Sequence, residues 1–385
     1  MVNVRTLPML STASLKNTKV LLRVDLNVPI VGSEVRDSTR IERIIPTVNY
    51  LVSAGAKVIM ISHLGRPKAQ ESEFSLRNIV DVVCRVLSMQ VVFIPSMATA
   101  EVNSIVDGLP WGSVVLLENL RFFEGETKND MIFSKQLSSF ADIYVNDAFS
   151  CSHRKHASVD GVTKILPSFS GFSLQEELKH IDDIVNSEPA AAIIGGAKAS
   201  TKIPMLCNLA SKVNFLILGG GLSNTFLSAN GFRVGSSVFE QNNNQVWEVM
   251  EAARSSGCKV ICPIDHIVAH NLDGHATSKL NCDLCPGDAI YDIGEKTSSV
   301  IQDVLEGCKT IFWNGPLGVF ERKAFASGTA RLLEVIIACR KKNNATTIIG
   351  GGDSIFAMNS LGYNEKDFSY VSTGGGALLH FLSTA

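Results

Sequence analysis

Short apolar segments alternate with longer segments of helical period along this chain, and this alternation restricts the fold more than any other feature of the sequence. The short segments are apolar on both faces, as in strands that are covered on both sides of a sheet. Helical segments between such strands are typical of parallel sheets with right-handed crossovers, so the pattern predicts an α/β fold with a parallel sheet formed twice. The predicted strands are residues 20–24, 57–61, 91–94, 114–117 and 143–145, followed by 191–194, 214–218, 259–262, 310–313, 346–349 and 369–371.

A helix predicted at residues 173–186 separates two strand-forming halves of similar length. It begins with a serine that is followed by glutamates three and four residues later, a capping pattern. The 385 residues also exceed the roughly 250–300 that one hydrophobic core usually holds. We therefore predict two doubly wound, Rossmann-like domains joined by a central helix, with a cleft between them. The predicted boundaries are 1–172 for the first domain, 173–187 for the helix, 188–372 for the second domain and 373–385 for a C-terminal helix or hinge. The alternative is one large domain with an ordinary surface helix at 173–186.

The charge balance and hydropathy of the chain argue against nucleic acid and membranes as binding partners. Lys and Arg number 35 against 37 Asp and Glu, a formal net charge of -2, so no broad basic surface is expected for nucleic acid. No apolar stretch approaches the roughly 20 residues of a membrane span, and the N-terminal residues lack the layout of a secretion signal. The nine cysteines are scattered and indicate no disulfide framework. We expect a cytoplasmic protein that binds small molecules, with no nucleic acid and no membrane as partner.

Four cysteines have a spacing close to that of a zinc ribbon, namely Cys258, Cys262, Cys282 and Cys285. However, Cys258 and Cys262 enclose an apolar segment, and residues four apart on a strand lie about 13 Å from each other. His266 and His270 are at helical spacing but lack the glutamate of a zinc-protease helix. We therefore interpret the cysteines as thiols rather than zinc ligands.

Polar side chains follow the strands of the first half at the point where each strand ends. Since ligands of open parallel sheets bind outside the carboxyl ends of the strands, these positions are candidate site residues. Guanidinium groups in this number suit a compact ligand with several negative charges, such as a phosphate with a carboxylate. The residues are Asp25, Asn27, His63, Arg66, Glu118, Asn119, Arg121, Asn146, Asp147, His153, Arg154 and His156, and the first crossover helix adds Arg40.

The second half has glycine-rich turns at the corresponding positions. Glycines at strand-to-helix turns let the backbone approach a ligand and direct helix N-terminal N–H groups at phosphate. These turns, with two lysines, predict a nucleotide site. The sequence has no P-loop motif, no GxGxxG after a strand and no protein-kinase motif set, which argues against those classes. The turns are residues 195–196, 219–221, 350–352 and 374–376, and the lysines are Lys198 and Lys202.

Eight motifs occur in an order that resembles the phosphoglycerate kinase family along nearly the whole chain. They are RVDLNVP, SHLGRP, LLENLRF, YVNDAFSCSHRKH, GGAK…STK, TIFWNGPLGVFE, IIGGGDS and VSTGGGA. The resemblance implies a transferase of glycolysis and gluconeogenesis, a monomer that interconverts 1,3-bisphosphoglycerate and ADP with 3-phosphoglycerate and ATP. It implies Mg²⁺ as cofactor and direct in-line transfer after hinge-bending closure of the domains, with residues 173–186 and VSTGGGA as hinge candidates.

The resemblance also implies roles for individual residues. The 3-phosphoglycerate contacts would be Asp25, Asn27, Arg40, His63, Arg66, Arg121 and Arg154. The nucleotide contacts would be Lys198, Lys202, Gly219, Gly220, Asn314, Pro316, Leu317, Glu321, Gly351, Gly352, Asp353 and Ser354, with Asp353 also the magnesium ligand. The residues expected to act on the migrating phosphoryl group are Arg40, Lys202, Gly352 and Gly375.

The sequence departs from the family pattern at a few positions and leaves two other functions open. Ser150 and Ser152 replace small residues, usually Gly and Ala, next to Arg154, and Ser354 replaces the commoner Thr. One alternative function is a two-lobed small-anion binding protein without catalysis, which would not require Asp353. The other is a kinase or acyl-phosphate enzyme with a different small acceptor, since the arginines suit any short phosphorylated acid.

Overall fold

By its internal contacts the chain divides into two units, residues 1–178 and 179–385. The computed structural model describes residues 3–32, 34–197, 199–200, 202–241 and 243–384. None of the helices in this described part is long and apolar enough to cross a membrane.

The first unit is built on a parallel sheet whose strands alternate with helices along the chain. Its strands, within the described residues, are β1 (Lys19–Val24), β2 (Ile30–Val31), β3 (Glu34–Val35), β4 (Lys57–Ile61), β5 (Val91–Ile94), β6 (Val114–Leu117), β7 (Ile143–Asp147) and β8 (Ser168–Ser170). Its helices in the same part are α1 (Thr39–Arg43), α2 (Ile45–Ser53), α3 (Val80–Leu87), α4 (Thr99–Gly108), α5 (Glu124–Thr127), α6 (Met131–Ser138) and α7 (Phe172–Asn186), the last of which continues across the division between the units. The main sheet has the order β5-β6-β4-β1-β7-β8 with parallel pairing, while β2 and β3 form a small antiparallel hairpin.

Successive residues of β1 enter apolar clusters on opposite faces of this sheet. Leu22 packs in a cluster with Met60 of β4, whereas Leu21 packs in another with Ile59. All four side chains are fully buried. Burial on both faces is the reason why these strands appear in the sequence as continuous apolar segments.

The strands predicted at 57–61, 91–94 and 114–117 agree with β4, β5 and β6 at both ends. The sequence analysis misses β8, because its three residues include two serines and no apolar segment. The predicted helix at 173–186 begins one residue earlier, at Phe172, whose backbone N–H donates to Thr47 Oγ1 over 3.0 Å.

The second unit repeats the architecture and adds a smaller antiparallel sheet. Its strands among the described residues are β9 (Ala190–Ile194), β10 (Phe215–Leu218), β11 (Lys259–Ile261), β12 (Asp265–Ala269), β13 (Thr277–Leu280), β14 (Ala289–Ile293), β15 (Thr310–Asn314), β16 (Thr346–Gly350) and β17 (Tyr370–Ser372). Its helices there are α8 (Ile203–Ala210), α9 (Gly220–Ala229), α10 (Asn243–Ser256), α11 (Glu295–Leu305), α12 (Ser327–Asn343), α13 (Gly352–Ser360) and α14 (Gly376–Thr384). The parallel sheet has the order β11-β10-β9-β15-β16-β17, and the antiparallel sheet has the order β13-β12-β14. Two parallel α/β sheets therefore confirm the predicted fold class.

The antiparallel sheet was not predicted, and it corrects the interpretation of DHIVAH. His266 lies in β12, which pairs with β13 and β14, and His270 directly follows that strand. The spacing of four between these histidines therefore does not mark a helix here. Residues four apart also share one face of a strand, because side chains there alternate with a period of two.

Candidate active site

Asp25 and Arg40 are held together at the carboxyl end of β1. Asp25 follows this strand, and its Oδ2 lies 2.8 Å from Arg40 NH1 on α1. Arg40 NH1 also donates to the backbone oxygen of Asn27 over 3.1 Å, and the Asn27 backbone N–H donates to Asp25 Oδ1 over 3.0 Å. Three of the predicted substrate residues therefore form one hydrogen-bonded group.

His63 lies just after β4, and its ring is held by a hydrogen bond from a buried arginine. Arg23 NH2 lies 3.0 Å from His63 Nδ1, and both side chains are buried. A guanidinium group only donates, so Nδ1 is the acceptor and the ring hydrogen belongs to Nε2. Burial lowers the pKa of His63 well below its usual range, and the positive charges of Arg23, Arg121 and Arg154 act in the same direction. His63 is therefore a neutral ring with an Nε2–H donor.

The remaining predicted cations of the first unit interact electrostatically with one another. Arg121 follows β6, and its NH1 donates to the backbone oxygen of Gly65. Burial lowers the pKa of Arg121, and repulsion from Arg154, Arg23 and Arg66 adds to the effect. Cations that repel one another gain stability from a ligand with several negative charges. This arrangement is suited to binding such an anion.

Several polar residues that follow strands in the first unit have structural partners instead. Asn119 donates from Nδ2 to the backbone oxygens of Leu64 and Phe74 over 2.8 Å each, which fixes the loop after β4. Asp147 Oδ1 accepts the backbone N–H of Leu174 in the first turn of α7 over 3.0 Å. Position at a strand end is therefore not enough to tell these structural residues from those proposed to bind a ligand.

The second unit contains a cavity of about 490 Å³ bordered by the strand-to-helix turns. Pro316 and Leu317 form part of its wall after β15, and Gly220 borders it at the start of α9. Glu321 and Asp353 also line it. Five predicted nucleotide residues thus surround one cavity.

A tight turn after β16 places Asp353 at this cavity. Gly351 has a φ of 93°, and a Cβ atom there would lie 2.6 Å from Asn314 Nδ2. Ser354 accepts the backbone N–H of Gly315 at Oγ over 2.6 Å and donates to the backbone oxygen of Gly350 over 2.8 Å. Because α13 begins at Gly352, its first backbone N–H groups are not bonded within the helix and can meet a phosphate.

The Lys202 side chain is held at the glycine turn that follows β9. Its Nζ donates to the backbone oxygen of Gly195 over 2.5 Å and lies 3.1 Å from the position that a Cβ of Gly196 would take. Burial lowers the pKa of Lys202, and the Asp353 carboxylate partly opposes this shift. The ammonium group therefore sits in a partly desolvated position near a carboxylate. Lys198 lies outside the described residues.

Gly219, just before α9, packs closely against Leu317 of the cavity wall. A side chain there would not fit, because its Cβ atom would lie 2.2 Å from Leu317 Cδ2. Gly375 is not among the described residues that line the cavity; it precedes α14 with a φ of 50°.

The turn at Asp353 fits a magnesium ion that is held mainly by nucleotide phosphates. Asp353 supplies a carboxylate, and Mg²⁺ in kinases is typically bound by one or two carboxylates together with phosphate oxygens and water. Within the described residues no group of three or more His, Cys, Asp or Glu side chains forms an all-protein metal site. The donor chemistry therefore suits a metal that arrives with the nucleotide.

Comparison with known proteins identifies the family. The model of the family "Phosphoglycerate kinase" matches residues 10–385. The phosphoglycerate kinase of Wolbachia sp. subsp. Drosophila simulans (strain wRi) is 47% identical over 381 residues, covering 98% of this chain and 96% of the relative. The chain belongs to the phosphoglycerate kinase family. The cytosolic phosphoglycerate kinase of Triticum aestivum is 43% identical, with 98% and 96% covered. Among solved structures, phosphoglycerate kinase from Coxiella burnetii has a TM-score of 0.89 at 35% identity, with 98% of this chain and 96% of that chain covered.

The comparisons confirm the family that the eight motifs indicate, but the structure adds side chains to which the sequence analysis assigns no role in the site. In the first unit these are Arg23, which supports His63, and Ser150, whose Oγ donates to Asp25 Oδ2. In the second unit the antiparallel sheet and the loop after α9 add cavity-lining residues. These are Ser236, Ser237, His266, Tyr291 and Asp292.

The sequence gives some indication of a functional role for two of these added side chains but none for the others. Arg23 stands inside the apolar strand of RVDLNVP, and a charged residue in such a position is an indication of a buried network. Ser150 is visible as a departure from the phosphoglycerate kinase pattern. The cavity residues of β12 and β14 carry no comparable signal, because their strands were not recognised.

Proposed function

We infer that this protein is a phosphotransferase that interconverts 1,3-bisphosphoglycerate and ADP with 3-phosphoglycerate and ATP, the reaction of its family in glycolysis and gluconeogenesis. Family membership over residues 10–385 supports the reaction. The observation that carries the proposal is the group of arginines with a neutral histidine at the carboxyl ends of β1, β4 and β6, a site for a small polyanion.

We propose that the first unit binds the phosphoglycerate. Arg66, Arg121 and Arg154 would take its phosphate, since planar guanidinium groups match phosphate oxygens in pairs. His63 would donate a hydrogen bond from Nε2, and its neutrality makes it a ligand rather than a proton carrier. Asp25 and Asn27 would orient Arg40 and the organic part of the substrate.

The second unit would bind the nucleotide in the 490 Å³ cavity. The proposed adenine contacts are Gly219, Gly220 and Leu317, with Asn314 and Pro316 as the adjoining wall and Glu321 at the ribose. The phosphates would meet the turn of Gly351, Gly352, Asp353 and Ser354 together with Lys198 and Lys202.

Phosphoryl transfer between two bound anions requires positioning and neutralisation of charge more than covalent help from the protein. We propose that Arg40 and Lys202 neutralise the migrating group and that the backbone N–H groups at Gly352 and Gly375 donate to it. Magnesium held at Asp353 would neutralise phosphate oxygens of the bound nucleotide. The domain closure and the in-line geometry expected from the sequence stay predictions.

We also propose a cytoplasmic monomer. The wheat relative carries the word cytosolic in its name and is 43% identical. Each chain holds both groups of proposed site residues, so one copy would suffice for the reaction.

The test is consumption of ATP by the purified chain with 3-phosphoglycerate and magnesium, coupled through glyceraldehyde-3-phosphate dehydrogenase to oxidation of NADH. Each component is omitted in turn, and an Arg40→Ala variant with normal thermal unfolding serves as the matched control. Turnover that requires every component is expected. A folded protein that binds ADP but shows no 3-phosphoglycerate-dependent turnover would instead favour a kinase with another phosphorylated acid as acceptor.

A further inference from the structure

A carboxylate in α5 of the first unit, that of Glu126, is buried in the interior. Its Oε2 accepts the backbone N–H of Ser158 over 2.9 Å, and its Oε1 accepts the Ser158 hydroxyl over 2.6 Å. His156 Nδ1 lies 3.5 Å from the same Oε1. Burial alone would raise the pKa of Glu126, but hydrogen bonds from His156 and Ser158 and the positive charge of Arg23 lower it overall. Glu126 is therefore an ionised carboxylate that binds both polar groups of Ser158.

The Ser158 hydroxyl connects Glu126 to Arg23. Because a carboxylate can only accept, the hydroxyl hydrogen points to Glu126 and the hydroxyl oxygen accepts from another donor. That donor is Arg23 Nε–H, over 3.1 Å. All three side chains are buried, and hydrogen bonds in series strengthen one another in such surroundings. The contact between Glu126 and Arg23 therefore passes through a single hydroxyl group.

Glu126 also compensates the charge of Arg23. Burial by itself lowers the pKa of the Arg23 guanidinium, but acidic groups nearby raise it overall, and of the carboxylates among them Glu126 has a larger effect than Asp25. Asp25 is in addition paired with Arg40 at 2.8 Å. A buried cation is costly without a compensating anion, so Glu126 stabilises Arg23 in the interior.

The guanidinium group of Arg23 is planar, so two contacts are enough to fix its orientation. Its NH1 donates to the backbone oxygen of Val24, and its Nε donates to Ser158 Oγ. In this orientation NH2 faces His63 Nδ1 at 3.0 Å. Without the contact at Nε the group can turn about the contact at NH1, and NH2 then moves away from the histidine nitrogen.

We propose that Glu126 is a positioning residue for His63. Through Ser158 it holds Arg23 against Nδ1 of His63, so that His63 keeps its hydrogen on Nε2 and can donate it to the phosphoglycerate. Glu126 acts through these residues and not on the ligand, since its oxygens are occupied by Ser158 and its side chain is buried. The inference rests on the proposed function, which assigns the first unit to the phosphoglycerate.

The test compares Ser158→Ala with Ser134→Ala as a matched control. Ser134 is also fully buried, and its hydroxyl donates to the backbone oxygen of Asp130 over 2.7 Å. It packs against Gly161, three residues after Ser158, so closely that a Cβ at Gly161 would overlap with its Oγ. The Ser134 hydroxyl does not belong to the series of contacts from Glu126 to His63. Both variants remove one buried hydroxyl from the same region, but only Ser158→Ala interrupts the series.

The first readout is nitrogen NMR of the histidine rings in the full-length protein, with the His63 signals assigned by their loss in a His63→Asn variant. In Ser158→Ala the Nδ1 signal of His63 is expected to move toward that of a nitrogen without a hydrogen-bond donor. In Ser134→Ala it is expected to stay at the wild-type position. An unchanged signal in a folded Ser158→Ala protein, or the same shift in both variants, would overturn the proposal.

Glu126→Gln replaces Ser158→Ala in the test if the latter does not fold. It keeps the size of the side chain, but the amide has one accepting oxygen and presents N–H groups at the other position, so its contact with Ser158 is weakened. We expect the Nδ1 signal of His63 to shift in the same direction by a smaller amount. A wild-type signal in folded Glu126→Gln would overturn the proposal in that case.

The second readout is steady-state kinetics. Ser158→Ala should raise KM for 3-phosphoglycerate about fivefold or more, the size expected when one hydrogen bond to a charged ligand is weakened. Since such a contact is made equally in the ground state and the transition state, kcat should stay nearly unchanged, as should KM for ATP. An unchanged KM for 3-phosphoglycerate, in a variant whose NMR signal has moved, would overturn the role in substrate binding. Absence of 3-phosphoglycerate-dependent turnover by the wild type would contradict the proposed function instead, while the NMR signal would still decide the contact.

Discussion

Arg23 and His63 meet in the interior of the first unit, where NH2 of the arginine lies 3.0 Å from Nδ1 of the histidine. This contact determines which ring nitrogen carries the hydrogen, because a guanidinium group cannot accept. The hydrogen is therefore at Nε2, and the histidine is held neutral by burial and by the surrounding arginines. Arg23 is not among the predicted substrate contacts, yet it fixes the tautomer of His63, which is one of them.

The first prediction concerns the pH response of His63. Because its pKa is lowered, we expect its ring to stay in the neutral Nε2–H form at the pH near 6.5 where an unperturbed histidine takes up its proton. Since only the unfolded state takes up this proton, His63 contributes stability that is lost as the pH falls below about 6.5. Nitrogen NMR of the labelled ring checks this, with the urea-unfolded chain as control. A titration midpoint near 6.5 in the folded protein would contradict it.

The second prediction concerns Arg40. Replacement by alanine is expected to reduce kcat/KM about 100-fold, which corresponds to roughly 2.7 kcal/mol of transition-state stabilisation. Arg40→Lys keeps the charge but loses the paired contacts to Asp25 Oδ2 and the Asn27 oxygen, so it is expected to recover only part of the loss. Steady-state kinetics with both substrates measures the effect, and thermal unfolding shows whether the fold is intact. Near-normal turnover in Arg40→Ala would remove this residue from the mechanism.

The third prediction concerns magnesium. Asp353→Asn keeps the side-chain shape but removes the charge proposed to hold the ion, so the magnesium concentration for half-maximal turnover should rise about tenfold or more. The same change removes the carboxylate that favours protonated Lys202. Turnover is measured against magnesium at fixed nucleotide, with Glu321→Gln as a matched loss of one cavity carboxylate. An unchanged magnesium curve in Asp353→Asn would be inconsistent with the assigned role.

The fourth prediction compares two neighbouring glycines after β16. Gly351→Ala should lower the free energy of unfolding by about 1–3 kcal/mol, because its φ of 93° and its approach to Asn314 both disfavour a side chain. Gly352→Ala should leave stability nearly unchanged, since a Cβ there meets no atom within 4 Å, yet it should weaken ADP binding if phosphate occupies that space. Denaturant unfolding and calorimetry separate the two effects. Equal stability of both variants would refute the steric argument.

The fifth prediction concerns Asp147, whose pKa burial raises to about 6. A carboxyl group with a raised pKa in the folded state favours folding while protonated, and it loses that contribution as the pH rises through about 4 to 6. The free energy of unfolding of the wild type relative to Asp147→Asn should therefore fall by about 2–3 kcal/mol between pH 4 and pH 7. Denaturant unfolding of both proteins at each pH measures it. A constant difference would show that the carboxyl titrates normally.

The sequence by itself determined the family, the two parallel sheets and most strand positions, because strands buried on both faces leave apolar segments that few other structures produce. It also indicated which cations follow the strands, since topology brings carboxyl ends to one edge of a sheet. It did not reveal the antiparallel strands around His266, because the spacing of His266 and His270 suits a helix equally well. Nor does position at a strand end distinguish Asp147, which receives N–H groups of α7, from Asp25, which holds Arg40. Those assignments depend on which atoms lie within hydrogen-bond distance, and only the tertiary structure fixes the contact of Arg23 with His63 or the orientation of Lys202 toward Gly195.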